Sequence, residues 1–400
     1  MIEFSYIFSI IFLFSLLVFK KFPIFSPLLP AIALRISVFI AFTFNYIFTF
    51  GFTSQLIPIL FFLPILLFPL FFLSLPKETI SFSDRLKNDL MKIGLIFLGF
   101  RILVAGVGFE TLPIFLGEGS NGSIYFDEEN KLLSTLQHGV TGIDVFIFSI
   151  LLGSRRSLSY LLCWIASLIL TLIYFKKSSL LNWALIVIFA DYIRIASFDH
   201  QKRYFSKMKY LTIGGILSIL FAVYVISLQL QLGFDDLYFY IDTIFYTIYS
   251  IFSHPLEFII KGRVEDFLAI YEVDRSIYLL HTPLSTLGFP AFDKGPGPAI
   301  HRFLYNSEFL GGFNPTIFVE SQILLVSFFP IMGLVVLALG LVSIINLRLR
   351  VKGPFSLINK YVFLSFYTTF WIDMLFAMKI FYSYLLFLPV LYLVVRLKFK

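Results

Sequence analysis

Charge is the scarcest property of this chain. Asp, Glu, Lys and Arg make up 14% of 400 residues, while 59% are hydrophobic. Soluble domains carry about a quarter charged residues, so this composition excludes an ordinary soluble domain. Cysteine is nearly absent: Cys163 stands alone, which excludes an intramolecular disulfide and a Cys-based metal site. There is no Walker-type loop, no HExxH and no CxxC, so ATP-driven transport finds no support within the chain. Strand-like alternation is missing too. The apolar runs are continuous, which points to helices and away from a barrel.

What is present is a series of apolar runs of the length that crosses a hydrocarbon core about 30 Å thick. They lie at about 4–19, 27–50, 53–75, 93–109, 140–152, 158–175, 180–196, 210–232, 315–346, 355–374 and 378–395. The expected fold is therefore all-α: a polytopic membrane protein of about eleven spans, ten to twelve allowing for merged or split runs. The first run is followed, not preceded, by Lys20-Lys21, so it reads as a retained span and not a cleaved signal. The run at 315–346 would reach about 48 Å at 1.5 Å per residue and must tilt or protrude.

The net charge of +7 comes from short basic clusters between these runs, an orientation signal and not a nucleic-acid footprint. Lys20-Lys21, the 76–92 segment, Arg155-Arg156, 199–209, 348–352 and the C-terminal tail share one side, which makes that side cytoplasmic. Lys176-Lys177 alone would face outward. The organisation is then a region of about eight spans over 1–232, an outward segment over 233–314 and about three spans over 315–400.

The outward segment concentrates the chemistry. Residues 234–260 have apolar and aromatic side chains at helical spacing, including four tyrosines, and read as a helix along the membrane interface. Residues 261–280 read as an amphipathic helix with Arg263 and Arg275. The cluster Pro283, Gly288, Pro290, Gly295, Pro296, Gly297 and Pro298 forbids regular structure and predicts a shaped loop. A short helix at about 299–310 would set His301, Tyr305 and Glu308 on one face. Asn314-Pro315 then reads as N-cap and first helical residue of the next span, a helix start suited to an anionic group. Glu320 lies just inside that span, where an ionisable residue is a functional candidate.

Arg263, Arg275 and Arg302 are candidate phosphate ligands, since a guanidinium fork binds phosphate oxygens bidentately. His301, His281 and Glu320 are candidate bases. Each has a plainer reading, as a solvated arginine, a core histidine or a helix-dipole partner. Arg101, near the middle of its run, must face protein or water and pair with something, either structurally or with substrate. Asp191 and Arg194, three residues apart, read as a local ion pair. Asp127-Glu128-Glu129 reads as a solvated loop and not a metal site.

The exit of the outward segment, Gly311-Gly312-Phe313-Asn314-Pro315-Thr316-Ile317-Phe318-Val319-Glu320, leads into a run with Pro330 and Gly333. With the many apolar runs and one large late outward loop, it resembles the Wzy-like O-antigen and oligosaccharide repeat-unit polymerases. The likeness is strongest over 295–335 and architectural elsewhere. One departure is clear: that family's Arg-x10-Gly pattern is not met, because Arg302 reaches Gly312 with one residue fewer.

The resemblance implies a GT-C-like membrane glycosyltransferase in a bacterial inner membrane, with its site facing the periplasm. It would join polyprenyl-pyrophosphate-linked oligosaccharide units without cofactor, nucleotide sugar or metal. Arg302, Arg263, Arg275 and Arg101 would hold the pyrophosphate, with Tyr305 and Asn314 on the glycan. Glu320 or His301, with His281 in reserve, would take the acceptor proton. Partners would be the lipid-linked glycan, membrane lipids and a chain-length regulator. An O-antigen ligase is the nearest rival. A transporter or lipid flippase is a rival of another class, weakened in sequence by the long outward segment and the few charges within the runs.

Overall fold

In the computed structural model, residues 82–107, 142–154, 157–173, 263–271, 296–305, 351–370 and 374–396 are described, with single positions at 183, 186–187, 189–191, 193–194, 258, 280, 284, 320, 338–339, 341–342, 345–346 and 349. The described residues are helical wherever they are regular. They form α1 (Asp84–Val107), α2 (Ile143–Ser154), α3 (Leu158–Ile173), α4 (Val264–Tyr271), α5 (Pro296–Tyr305), α6 (Pro354–Phe370) and α7 (Met374–Arg396). Among the described residues no helix is long and apolar enough to cross a membrane. Several of the predicted runs are described only in part. Two compact units divide the described residues: α1, α2, α3, the start of α6 and most of α7 belong to one, α4 and α5 to the other.

Helix α1 starts earlier than the apolar run at 93 predicts, because its start carries its own signals. Ser83 caps it: the Leu86 amide donates to Ser83 Oγ (3.3 Å) and the Lys87 amide to the Ser83 carbonyl (3.1 Å). Asp84 adds negative charge at the positive end of the helix. Leu86, Leu90, Ile93, Phe97, Arg101 and Val104 are buried at three- and four-residue intervals, so one stripe faces inward along its length.

Helix α2 is short, and nearly every residue from Ile143 to Leu151 is buried. A helix apolar on all sides belongs inside a protein. Its entry turn needs glycine: Gly142 has φ +97°, and a Cβ there would lie 2.5 Å from Ile186 Cδ1 and 2.7 Å from Tyr361 Oη. Gly94 of α1 makes the approach to α2 possible, since a Cβ there would sit 2.9 Å from Phe148 Cζ. Helix α3 packs on both α1 and α2. On its other side Leu158, Leu161, Leu162, Ile165 and Ile169 are exposed, an unbroken apolar stripe.

Pro354 opens α6, where a missing amide costs nothing. Leu357, Ile358, Tyr361 and Val362 are buried, and Tyr361 stacks on Phe146 of α2 at 4.5 Å. In α7, Phe387 packs against Phe97 and Phe100 of α1 at 5.5 and 5.1 Å. Leu385, Leu386, Leu388, Val390 and Leu393 are exposed.

In the other unit the start of α5 departs from expectation. Pro296-Gly297-Pro298, placed by sequence in an irregular loop, form its first turn. The first-turn amides of a helix have no intrahelical acceptor, so proline is tolerated there. The described part of the helix runs to Tyr305, and Glu308 lies outside the described residues.

Candidate functional site

Two places hold charged side chains in defined surroundings. The first is the α4–α5 unit, within residues 233–314. Its nucleus is aromatic: Phe258 and Phe267 are fully buried, and with Phe303 they make three edge-to-face contacts at 5.6 to 5.9 Å. Such pairs each contribute about 0.5–1.5 kcal/mol beyond area burial. Arg263 precedes α4 and its carbonyl accepts from the Phe267 amide at 3.0 Å. Its guanidinium lies over the Phe303 ring at 4.5 Å. The carboxylate of Asp266 is 3.9 Å away and exposed, a separation at which solvent screening leaves little attraction. Arg263 is therefore held mainly by a ring face, with its charge still available.

Arg302, next to Phe303 in the chain, is half-buried, and its Nε is buried without a hydrogen-bond partner. A buried guanidinium N–H seeks an acceptor. His301 and Tyr305 lie four residues apart in α5. Glu320 is helical and fully buried. His281, Arg275 and Asn314 lie outside the described residues.

The second place is inside the α1–α3 unit. Arg101 is fully buried and donates from Nη1 to Asp144 Oδ2 at 2.5 Å and from Nη2 to Thr171 Oγ1 at 3.1 Å. The Thr171 hydroxyl in turn donates to the Ser167 carbonyl at 2.8 Å, so it both gives and accepts. Arg101 Nε and Asp144 Oδ1 have no partner. Arg194 is buried and donates to Asp191 Oδ1 from Nε at 3.2 Å and Nη2 at 2.6 Å, the local pair the spacing predicts. Lys360 is buried and donates to the carbonyls of Asn346 and Leu349, both at 2.6 Å. Nearby in sequence, the Tyr384 hydroxyl donates to Asn359 Oδ1.

Sequence reasoning missed two of these. Asp144 has no evident role in sequence within the run at 140–152, yet it is the buried partner of Arg101. The signal was there in Gly142-Ile143-Asp144: a turn residue, then an acid in the first turn of an apolar helix. Lys360 drew no attention because a lone lysine in an apolar run shows nothing of the carbonyls it meets. Among the described residues, no cluster of His, Cys, Asp and Glu could hold a metal ion. The chain matches no protein-family model, no curated protein and no solved structure.

Proposed function

We propose that this protein is a multi-pass membrane glycosyltransferase that polymerises polyprenyl-pyrophosphate-linked oligosaccharide units at the periplasmic face of a bacterial inner membrane. The observation that carries the site is Arg302, whose buried Nε lacks an acceptor while its neighbour Phe303 holds the Arg263 guanidinium. Two cationic groups in one small folded unit suit a pyrophosphate, the leaving group of such a transfer. The membrane assignment draws on composition, on the basic clusters between apolar runs, and on the exposed apolar side chains of α3 and α7. The resemblance over 295–335 supplies the reaction class.

In this reading the acceptor hydroxyl oxygen attacks the anomeric carbon of the donor glycan. The bond from that carbon to the pyrophosphate oxygen breaks, and polyprenyl pyrophosphate leaves with the electron pair. The acceptor proton passes to Glu320 or His301, with His281 in reserve. Arg263, Arg302 and Arg275 neutralise the leaving group, and Tyr305 and Asn314 orient the glycan. Arg101 is left out of this set, because its guanidinium already serves Asp144.

The test is expression in a host that lacks its own repeat-unit polymerase but makes the matching lipid-linked unit. A ladder of surface glycan from the parent, lost in Arg302→Ala and Glu320→Ala at equal protein level, is the expected result. Loss of one cationic group from a charge-stabilised transition state costs about 10²–10³ in rate. A single-repeat band from the parent would favour a ligase or exclude glycan transfer. A ladder that survives both substitutions would move the site elsewhere.

A transporter of the same lipid-linked glycan is a second reading. It draws on the buried charged side chains Arg101, Asp144, Arg194 and Lys360, a feature that the sequence shows only as scattered letters. Movement of a lipid-linked oligosaccharide across vesicles carrying the purified protein, with no lengthening of the glycan, would select it.

A further inference from the structure

We propose that Arg101 and Asp144 form a polar clamp that fixes the axial register of α2 between α1 and α3, with Arg194 as the stop at its other end. The reasoning starts from what apolar packing cannot do. With 12 residues, α2 reaches only about 18 Å. From Ile143 to Leu151 it is buried on nearly every side, and its apolar contacts carry no direction of their own. Between helices in an apolar surround, specificity comes from close packing and hydrogen bonds, not from the hydrophobic effect.

The directional contacts of α2 sit at three heights. Asp144, in its first turn, meets Arg101, which also reaches Thr171 of α3. Ser149, midway, accepts from Trp164 Nε1 of α3 at 2.9 Å. Gly153, in the last turn, lies against Arg194: a Cβ there would be 2.7 Å from Arg194 Nε and 3.0 Å from Cδ. Arg194 is itself held by Asp191. One end is tied and the other is blocked.

The pair at the tied end is incompletely satisfied, since Arg101 Nε and Asp144 Oδ1 are both buried and unpartnered. A pair in that state contributes little net stability over apolar side chains of like size, yet removing one member strands the other charge. Its contribution is therefore register. This gives a signature distinct from that of a simple stabilising bond: replacing both members with apolar residues restores folding but not register.

The experiment uses the full-length protein in detergent in a Trp371→Phe background, so that Trp164 and Trp183, whose rings meet edge-to-face at 4.6 Å, report on this unit. Arg101→Met, Asp144→Leu, the double Met/Leu variant and the exchange Arg101→Asp with Asp144→Arg are compared by the folded, monodisperse fraction and by tryptophan emission. Each single variant is expected to lose at least about tenfold in folded fraction, the consequence of a stranded buried charge. The double apolar variant should recover to within about twofold of the parent, since the pair is near break-even against apolar side chains, while its emission shifts. The exchange should recover both. Single variants equal to the parent would overturn the proposal, as would a double variant no better than the worse single. So would a recovered double variant with unchanged emission, because packing alone would then set the register.

Discussion

Four arginines of this protein fall into two pairs, and the contrast between them separates structure from chemistry. Arg101 and Arg194 lie in the α1–α3 unit, buried, each with a carboxylate at 2.5–2.6 Å. Arg263 and Arg302 lie in the α4–α5 unit. One rests on the Phe303 ring and the other has a buried Nε with no acceptor. The same side chain has its charge consumed in one unit and presented in the other. What decides is the partner: a carboxylate neutralises, whereas a ring face holds the guanidinium in place and leaves most of its charge for a ligand.

That contrast can be broken in order of effect. Gly153→Ala strikes the consumed pair by pushing a methyl group into the Arg194 side chain. Overpacking of this kind costs about 1–3 kcal/mol, and the displaced guanidinium would strain its bond to Asp191 as well. Chemical unfolding in detergent should show the loss, and Gly153→Ser should behave alike. A comparable effect is expected at Phe303. Phe303→Leu keeps an apolar side chain but removes the ring under Arg263 and two aromatic contacts, a loss of about 1.5–4 kcal/mol. Because Arg263 would then be free to wander, glycan-ladder formation should fall further than the stability of the protein does. Equal falls in both would mean that the ring is only a packing element.

The smallest effect belongs to an ion pair that is neither consumed nor presented. Lys87 and Asp84 meet at 2.9 Å on α1, with the Asp84 side chain 88% exposed. Lys87, whose side chain is 18% exposed, also lies over the Phe82 ring at 5.8 Å, so Lys87→Ala should change stability by no more than about 1 kcal/mol. A large loss there would undo the distinction between interior and surface charge on which the two-unit comparison rests.

Much of the helical skeleton was legible in the letters. The apolar runs expected at 140–152, 158–175, 355–374 and 378–395 each contain a helix among the described residues. Continuous apolar runs leave the backbone no other way to satisfy its own hydrogen bonds away from water. The Asp191–Arg194 pair was legible for a related reason, since three residues along a helix bring two side chains together whatever the tertiary fold. The start of α1 was half-legible. Charge density placed residues 84–92 outside the apolar run, but Ser83, Asp84 and the Leu86–Leu90 spacing are helix-start signals that charge counting hides.

Sequence by itself determined the helical character of the described residues, the lengths of the apolar runs, the concentration of Arg, His and Glu in one polar segment, and the local pairs within one helix. These depend on composition and on contacts a few residues apart. Only the tertiary structure decided that Arg101 reaches across 43 positions to Asp144 and 70 to Thr171, that Lys360 closes on the carbonyls of Asn346 and Leu349, and that Arg263 rests on Phe303. A guanidinium has five donors and accepts many partners. Its sequence neighbours do not choose among them; the packing of helices from distant parts of the chain does.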